Sequence, residues 1–191
     1  MTDREGFTYE FPEMSPTERL KELIPYIAEK LQDDPAFGRV KLAKIIYFAD
    51  MESFRLHRRP VTGSAWSRDN FGPLPKSFLQ TLDALKAEGN ITECEREYFG
   101  RTQKRIEVLS EPSLDLLTNK ELDIVDRVIE RFADWNASQL SHQSHGVAWR
   151  LSEGERYIPY EYSLYSDEPL TDEELRHARH LAQKYRDCDF A

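Results

Sequence analysis

The stretch RVKLAKIIYFADMESFRLH, residues 39–57, constrains the fold more than any other part of the chain. Wound as a helix, it carries Val40, Leu42, Ile45, Ile46, Phe48 and Ala49 around most of its circumference. A helix apolar on so much of its surface is covered on several sides, so it belongs at the centre of a domain.

The remaining chain supplies the elements that cover it. Ser15-Pro16-Thr17-Glu18 reads as a capping box, with Ser as cap, Pro at the first helical position and Glu two further on. Leu20, Leu23, Ile24, Ile27 and Leu31 follow at helical spacing, which predicts a helix over 16–32, ended by Asp33-Asp34-Pro35. Residues 1–14 have no clear period and read as an arm. The segment RRPVTGSAWSRDNFGPLP, residues 58–75, is dense in proline and glycine and predicts a shaped loop with a short strand near 61–66. A third helix is expected from about Pro75 to Gly89, a natural C-terminal cap. Two β-like runs, 91–99 and 104–109, joined by Gly100-Arg101-Thr102-Gln103, predict a hairpin. Thr118-Asn119-Lys120-Glu121 is a second capping box, opening a helix with Leu122, Val125, Val128, Ile129 and Phe132. Ser138 is expected to cap one helix carrying LSHQSHGVAWR, residues 140–150. Residues 150–170 read as irregular, rich in Tyr, with Pro159 and Pro169. Thr171-Asp172-Glu173-Glu174 opens a polar final helix over 172–186. The predicted class is mainly α (α+β): an arm over 1–14, then a single compact helical domain over 15–191 with one β-hairpin and irregular Pro/Gly-rich loops.

Composition narrows the function classes. With 39% hydrophobic and 32% charged residues, a packed core is expected and whole-chain disorder is not. A net charge of −9 repels a phosphate backbone at long range, against a general nucleic-acid binder but not against a local basic patch. Cys94 and Cys188 form no CxxC pair, which suits a reducing cytosol. The N-terminus lacks a basic start followed by an apolar run, so no signal peptide is expected. No stretch nears the roughly 18 apolar residues of a membrane helix. These readings together predict a soluble cytoplasmic protein.

Candidate chemistry is sparse. His142 and His145 are three apart on one helical face, as are His177 and His180, and two such pairs facing each other would make a metal site. The second pair sits among Arg176, Arg179 and acidic neighbours, the pattern of a solvated face. His145 and Trp149, four apart, read as a stacked structural pair with a buried, hydrogen-bonded imidazole. No GxSxG, glycine-rich phosphate loop or activated cysteine is evident, and Asp50 and Glu52 point to different helical faces. The hairpin carries Arg96, Arg101, Lys104 and Arg105, as the wing of a DNA-binding module would. The preceding helix, however, has only Lys76 and Lys86, offset by Asp83 and Glu88. The loop over 60–75 holds Trp66 and Phe71 on a backbone set by Pro60, Gly63, Gly72 and Pro73. It either lids the core or presents its aromatics to a partner.

Four motifs in order carry a family resemblance. They are the KLAKIIYFAD helix from Lys41 to Asp50, including Tyr47; Pro60-Val61-Thr62-Gly63; Gly72-Pro73-Leu74-Pro75; and Leu140, Ser141, Ser144, His145 and Trp149. Ile158-Pro159-Tyr160 adds a fifth element. Residues 16–165 thus resemble the Panacea domain, the SocA-like antitoxin family. Trp66 stands where a tyrosine is commoner, and His142 is outside the pattern. The resemblance implies an antitoxin-like protein that neutralises a cognate toxin by direct contact. Through its SocA branch the resemblance also implies an adaptor role, with an ATP-dependent protease as second partner to which the toxin is delivered. It implies no catalytic residue, no cofactor and no metal. Tyr47, Asp50, Thr62, Gly63, Gly72, Pro73, His145, Trp149, Pro159 and Tyr160 are then structural. Trp66, Phe71, Arg101 and Arg105 are the candidates for partner contact.

Overall fold

The computed structural model describes residues 9–166, 168 and 171–184. Residues 1–8 of the expected arm, Pro169, residues 185–186 of the expected last helix, and Cys188 lie outside the described residues. The fold is mainly helical with a small β part. Its helices are α1 (Pro16–Lys30), α2 (Arg39–His57), α3 (Phe78–Ala87), α4 (Asn119–Arg131), α5 (Ala137–Gln143), α6 (Val147–Leu151) and α7 (Asp172–Lys184). Strands β1 (Trp66–Ser67) and β2 (Leu74–Pro75) form a short antiparallel ladder, and β3 (Ile91–Tyr98) and β4 (Arg101–Val108) form the hairpin.

Helix α2 is central, as its apolar circumference requires. It packs against α1, α4, α5, β2, β4 and a 3₁₀ turn over Tyr160–Leu164. Leu42, Ile45, Ile46, Ala49 and Phe54 are buried there with Leu20, Leu23, Ile24 and Ile27 of α1 and Val125 and Val128 of α4. Gly38, which caps α2, lies against the hairpin; a Cβ there would come within 2.7 Å of Gln103 Cγ and 3.0 Å of the Lys104 carbonyl oxygen.

Local signals place the helix ends well. Of the box expected at Ser15 only the half in which Ser15 accepts from the Glu18 amide forms, whereas Thr118 with Glu121 forms a full capping box. Glu174 and Thr171 close the same box before α7. After α3, Gly89 adopts φ 75°, its amide bonds to the Lys86 carbonyl, and the Asn90 amide reaches back to the Leu85 carbonyl. That pair of bonds is a Schellman stop.

Several expected boundaries move. Residues 61–65 are not a strand; only Trp66 and Ser67 pair, with Pro75 and Leu74, and Trp66 also bridges to Ile158. Because 74–75 join that ladder, α3 starts at Phe78 rather than near Pro75. The hairpin loop is not Gly100–Gln103 but the two residues Phe99 and Gly100, with Tyr98 opposite Arg101. The cap of α5 is Asn136 rather than Ser138. The stretch 140–150 is two short helices, broken at Ser144–Gly146, instead of one. Tyr9, expected in a loose arm, is buried and its ring lies 5.1 Å from that of Phe54.

The centre of the fold also buries charge. Lys41 is completely buried; its Nζ lies 2.7 Å from Asp34 Oδ2 and donates to the carbonyls of Phe132, Ala133 and Trp135. It thereby caps the carbonyls that follow α4 and ties them to the α1–α2 turn. Arg19, also buried, pairs with Glu121 at 2.5 Å and donates to the carbonyls of Val61 and Leu116. Replacing Lys41 by Met keeps the aliphatic stem but strands the Asp34 charge and the carbonyls of Ala133 and Trp135, while Phe132 keeps the Trp135 amide. We expect Lys41→Met to lower stability by about 3–5 kcal/mol in urea denaturation, the range for removing one member of a buried pair.

Candidate functional site

Two polar residues on α2 hold the two ends of the loop over 60–75. The first is Asp50, buried entirely. Its Oδ1 accepts from the Thr62 amide at 2.6 Å. Its Oδ2 accepts from Thr62 Oγ1 at 2.5 Å, Trp66 Nε1 at 3.1 Å and the Tyr160 hydroxyl at 2.7 Å. The Tyr160 hydroxyl also lies 2.8 Å from the Ser64 carbonyl and 3.0 Å from Trp66 Nε1. Burial pushes the Asp50 carboxyl above the usual carboxylate range, against the pull of the hydrogen bonds from Thr62, Tyr160 and Trp66. Burial raises the Tyr160 phenol too, with the Asp50 charge adding to it. Gly63 makes the turn at φ 71°, beside Pro12 and Phe11. Tyr47, whose hydroxyl burial also pushes up, stacks edge-on to Trp66 at 5.2 Å. Pro159, with φ −64°, leads into the 3₁₀ turn that carries Tyr160.

The second residue is Lys44. Its buried Nζ donates to the Pro73 carbonyl at 2.7 Å. Gly72 sits at φ 92°, and a Cβ there would overlap the Ser144 hydroxyl and come within 3.1 Å of Lys44 Nζ. Only glycine fits that approach. Ser144 donates to the Ser141 carbonyl, and Ser141 donates to the Phe71 carbonyl at 2.6 Å, so α5 grips the same end of the loop. Burial lowers Lys44 to about 8, partly offset by the charge of Asp69. Beside it, the His145 and Trp149 rings stack at 4.6 Å, and the Arg68 guanidinium lies 4.5 Å over the Trp149 ring. His145 Nε2 is buried without a hydrogen-bond partner, contrary to the expected satisfied imidazole. Burial, then the charges of Lys44, His142 and Arg68, hold the imidazole below its usual value.

Trp66 is therefore not a displayed anchor. Its indole is 0% exposed, because its N–H must reach Asp50 and Tyr160. Arg105 is likewise no tip cation: it is buried, stacks near Phe37, and donates to the carbonyls of Asp34 and Gln32. Trp149, expected in the core, is only half-buried. Phe71, by contrast, is 70% exposed at the apex of the clamped loop, and Arg101 is exposed on β4. His142 is exposed on α5, and His177 and His180 are exposed on α7. Among the described residues no three His, Cys, Asp or Glu side chains gather as a metal site. Sequence reasoning named Ser144 within a motif without giving it a role, and passed over Lys44 and Arg68 as contributors. The available cue was a lysine between the apolar residues Leu42, Ala43, Ile45 and Ile46, which must find a polar partner if buried.

The motif residues thus hold one loop on a central helix and leave an aromatic at its crest. A family model described as "Antitoxin SocA-like, Panacea domain" matches residues 42–150, over half of the chain. The chain belongs to that antitoxin-like family. The Tyr160 element lies beyond the matched span yet completes the Asp50 cluster. No curated protein and no solved structure matches the chain. No helix among the described residues is long and apolar enough to cross a membrane.

Two expectations follow from this geometry. Trp66→Ala should cost about 3–5 kcal/mol, as for a buried aromatic, and Trp149→Ala only about 1–2 kcal/mol, since part of its ring stays in water; thermal melts compare the two. Lys44 gives a signed pH effect. Its folded value, about 8, is below the usual 10.5, so between these limits the unfolded chain binds more protons. Its contribution to stability therefore rises with pH from 8 to 10.5. The stability difference between wild type and Lys44→Met, from urea titrations at either end of that window, should shift in favour of wild type at the alkaline end.

Proposed function

We propose that the protein is an antitoxin: a module that binds a cognate protein toxin in the cytoplasm and neutralises it by direct contact, without catalysis. Membership of the antitoxin family supports this reading. The observation that carries it to a surface is Phe71. A ring 70% exposed is unusual on a loop whose two ends are anchored by Asp50 and Lys44. A pre-ordered loop loses little entropy on binding, and a protruding aromatic is a typical energetic anchor. The net charge of −9 favours a basic partner and speeds their encounter. Neutralisation either sequesters the toxin or delivers it to an ATP-dependent protease. Rescue that persists in a protease-deficient host separates the first route from the second.

The test is co-expression with the product of the adjacent gene. Co-purification and restored growth support the reading; neither binding nor rescue removes it. Within that complex, Phe71→Ala should leave the melting temperature within about 2 °C, since the ring packs on little. It should weaken affinity by about 2 kcal/mol, roughly thirtyfold. Calorimetric titration alongside thermal melts checks both halves.

A further inference from the structure

The hairpin tip is the least economical piece of the molecule if it serves only the fold. Phe99 occupies the first position of a two-residue turn at φ 49°, followed by Gly100 at φ 71°. Positive φ at both positions is the type I′ arrangement, which favours Asn, Asp or Gly at the first position. A bulky residue there is an outlier. The ring gains no burial in return: it is 89% exposed, and its aromatic contact is the edge of Tyr98 at 4.7 Å. Strain held without a packing reason points to a role outside the fold.

The surroundings say what kind of partner fits. Strand alternation places Arg96, Tyr98 and Arg101 on one face of the hairpin, with Glu95 and Glu97 on the other. Arg96 is held by Glu107 at 2.9 Å. No ion pair to Arg101 is formed among the described residues. The distal strand residues Glu95, Arg96, Glu97, Arg101 and Thr102 are exposed, so the tip stands clear of the helices. Two rings and two guanidinium groups on a projecting ribbon have the composition of an interface hot spot.

We infer that Phe99 and Tyr98 form an aromatic knob that enters an apolar pocket on the toxin, with Arg101 meeting a carboxylate at the pocket rim. This rests on the reading of the chain as a toxin-binding module. A protein partner is favoured over nucleic acid because the molecule carries a net charge of −9 and Glu95 and Glu97 line the opposite face.

The experiment compares wild type, Phe99→Asn and Arg101→Glu in titration against the purified product of the adjacent gene. Thermal melts, sedimentation of the free proteins and titration with a duplex DNA oligonucleotide accompany it. Asn suits the turn better than Phe, so Phe99→Asn should melt at or above the wild-type temperature yet bind the toxin at least tenfold more weakly. Arg101→Glu should slow association most at low salt. The proposal is overturned if wild type binds toxin and Phe99→Asn binds equally well. It is also overturned if Phe99→Asn melts well below wild type, since the ring is then structural. A wild-type dimer that Phe99→Asn dissolves would make the knob's partner a second copy. DNA binding lost in Phe99→Asn would make it nucleic acid; either replaces the proposal. If wild type binds no toxin, the antitoxin reading itself fails and takes the knob with it.

Discussion

The buried carboxyl of Asp50 is the interaction on which the rest depends. It stands at the middle of the central helix, with no access to water, and it collects donors from two separate parts of the chain: Thr62 and Trp66 in the loop, and Tyr160 in the 3₁₀ turn. A buried acid with so many partners does not add stability merely by being there, because desolvation offsets much of what the hydrogen bonds return. Its effect is to fix one arrangement. Any slippage of the loop or of the 3₁₀ turn would leave the carboxyl, the indole N–H and the phenol unpaired in an apolar interior.

Lys44 repeats the device at the other end of the loop with the opposite charge. The Asp50 end is closed by hydrogen bonds, and the Gly72 end by the Lys44 hydrogen bond and a left-handed backbone, φ 92°, that a side chain would strain. The loop is thus determined at both ends while its crest, from Asp69 to Phe71, stays in solvent. That division suits a binding protein: the groups that perturb each other electrostatically are structural, and the group left accessible is apolar. The same division recurs at the hairpin. Arg105 and Ile106 bury the base of the ribbon against the body, and the aromatic pair Tyr98 and Phe99 ends it.

The buried lysines explain why a chain so rich in charge still has a continuous core. Lys41 serves the carbonyls that follow α4, and Lys44 serves the loop carbonyl of Pro73, so each α2 lysine replaces a capping residue elsewhere. Arg19 and Arg105 do the same for Val61, Leu116, Gln32 and Asp34. Long basic side chains reach backbone carbonyls that no helix or sheet satisfies, while their aliphatic stems pack as hydrophobic residues would.

What the sequence by itself determined is what acts over a few residues. The central place of α2 follows from its apolar circumference. The starts of α1, α4 and α7 follow from Ser15, Thr118 and Thr171, and the stop after α3 from Gly89. The family motifs were legible too, as strings. Their physical roles were decided only in the tertiary structure, because the partners are remote. Trp66 is buried because its N–H meets Tyr160, 94 residues on, and Asp50 meets that same hydroxyl 110 residues on. No local pattern distinguishes such an indole from an exposed one. Arg105 looked like a tip cation until the α1–α2 turn, 71 residues earlier, offered its carbonyls. The helix break at Ser144–Gly146 and the short pairing of Trp66–Ser67 with Leu74–Pro75 arise from packing on α2, which overrides local propensity wherever a buried polar group must be satisfied.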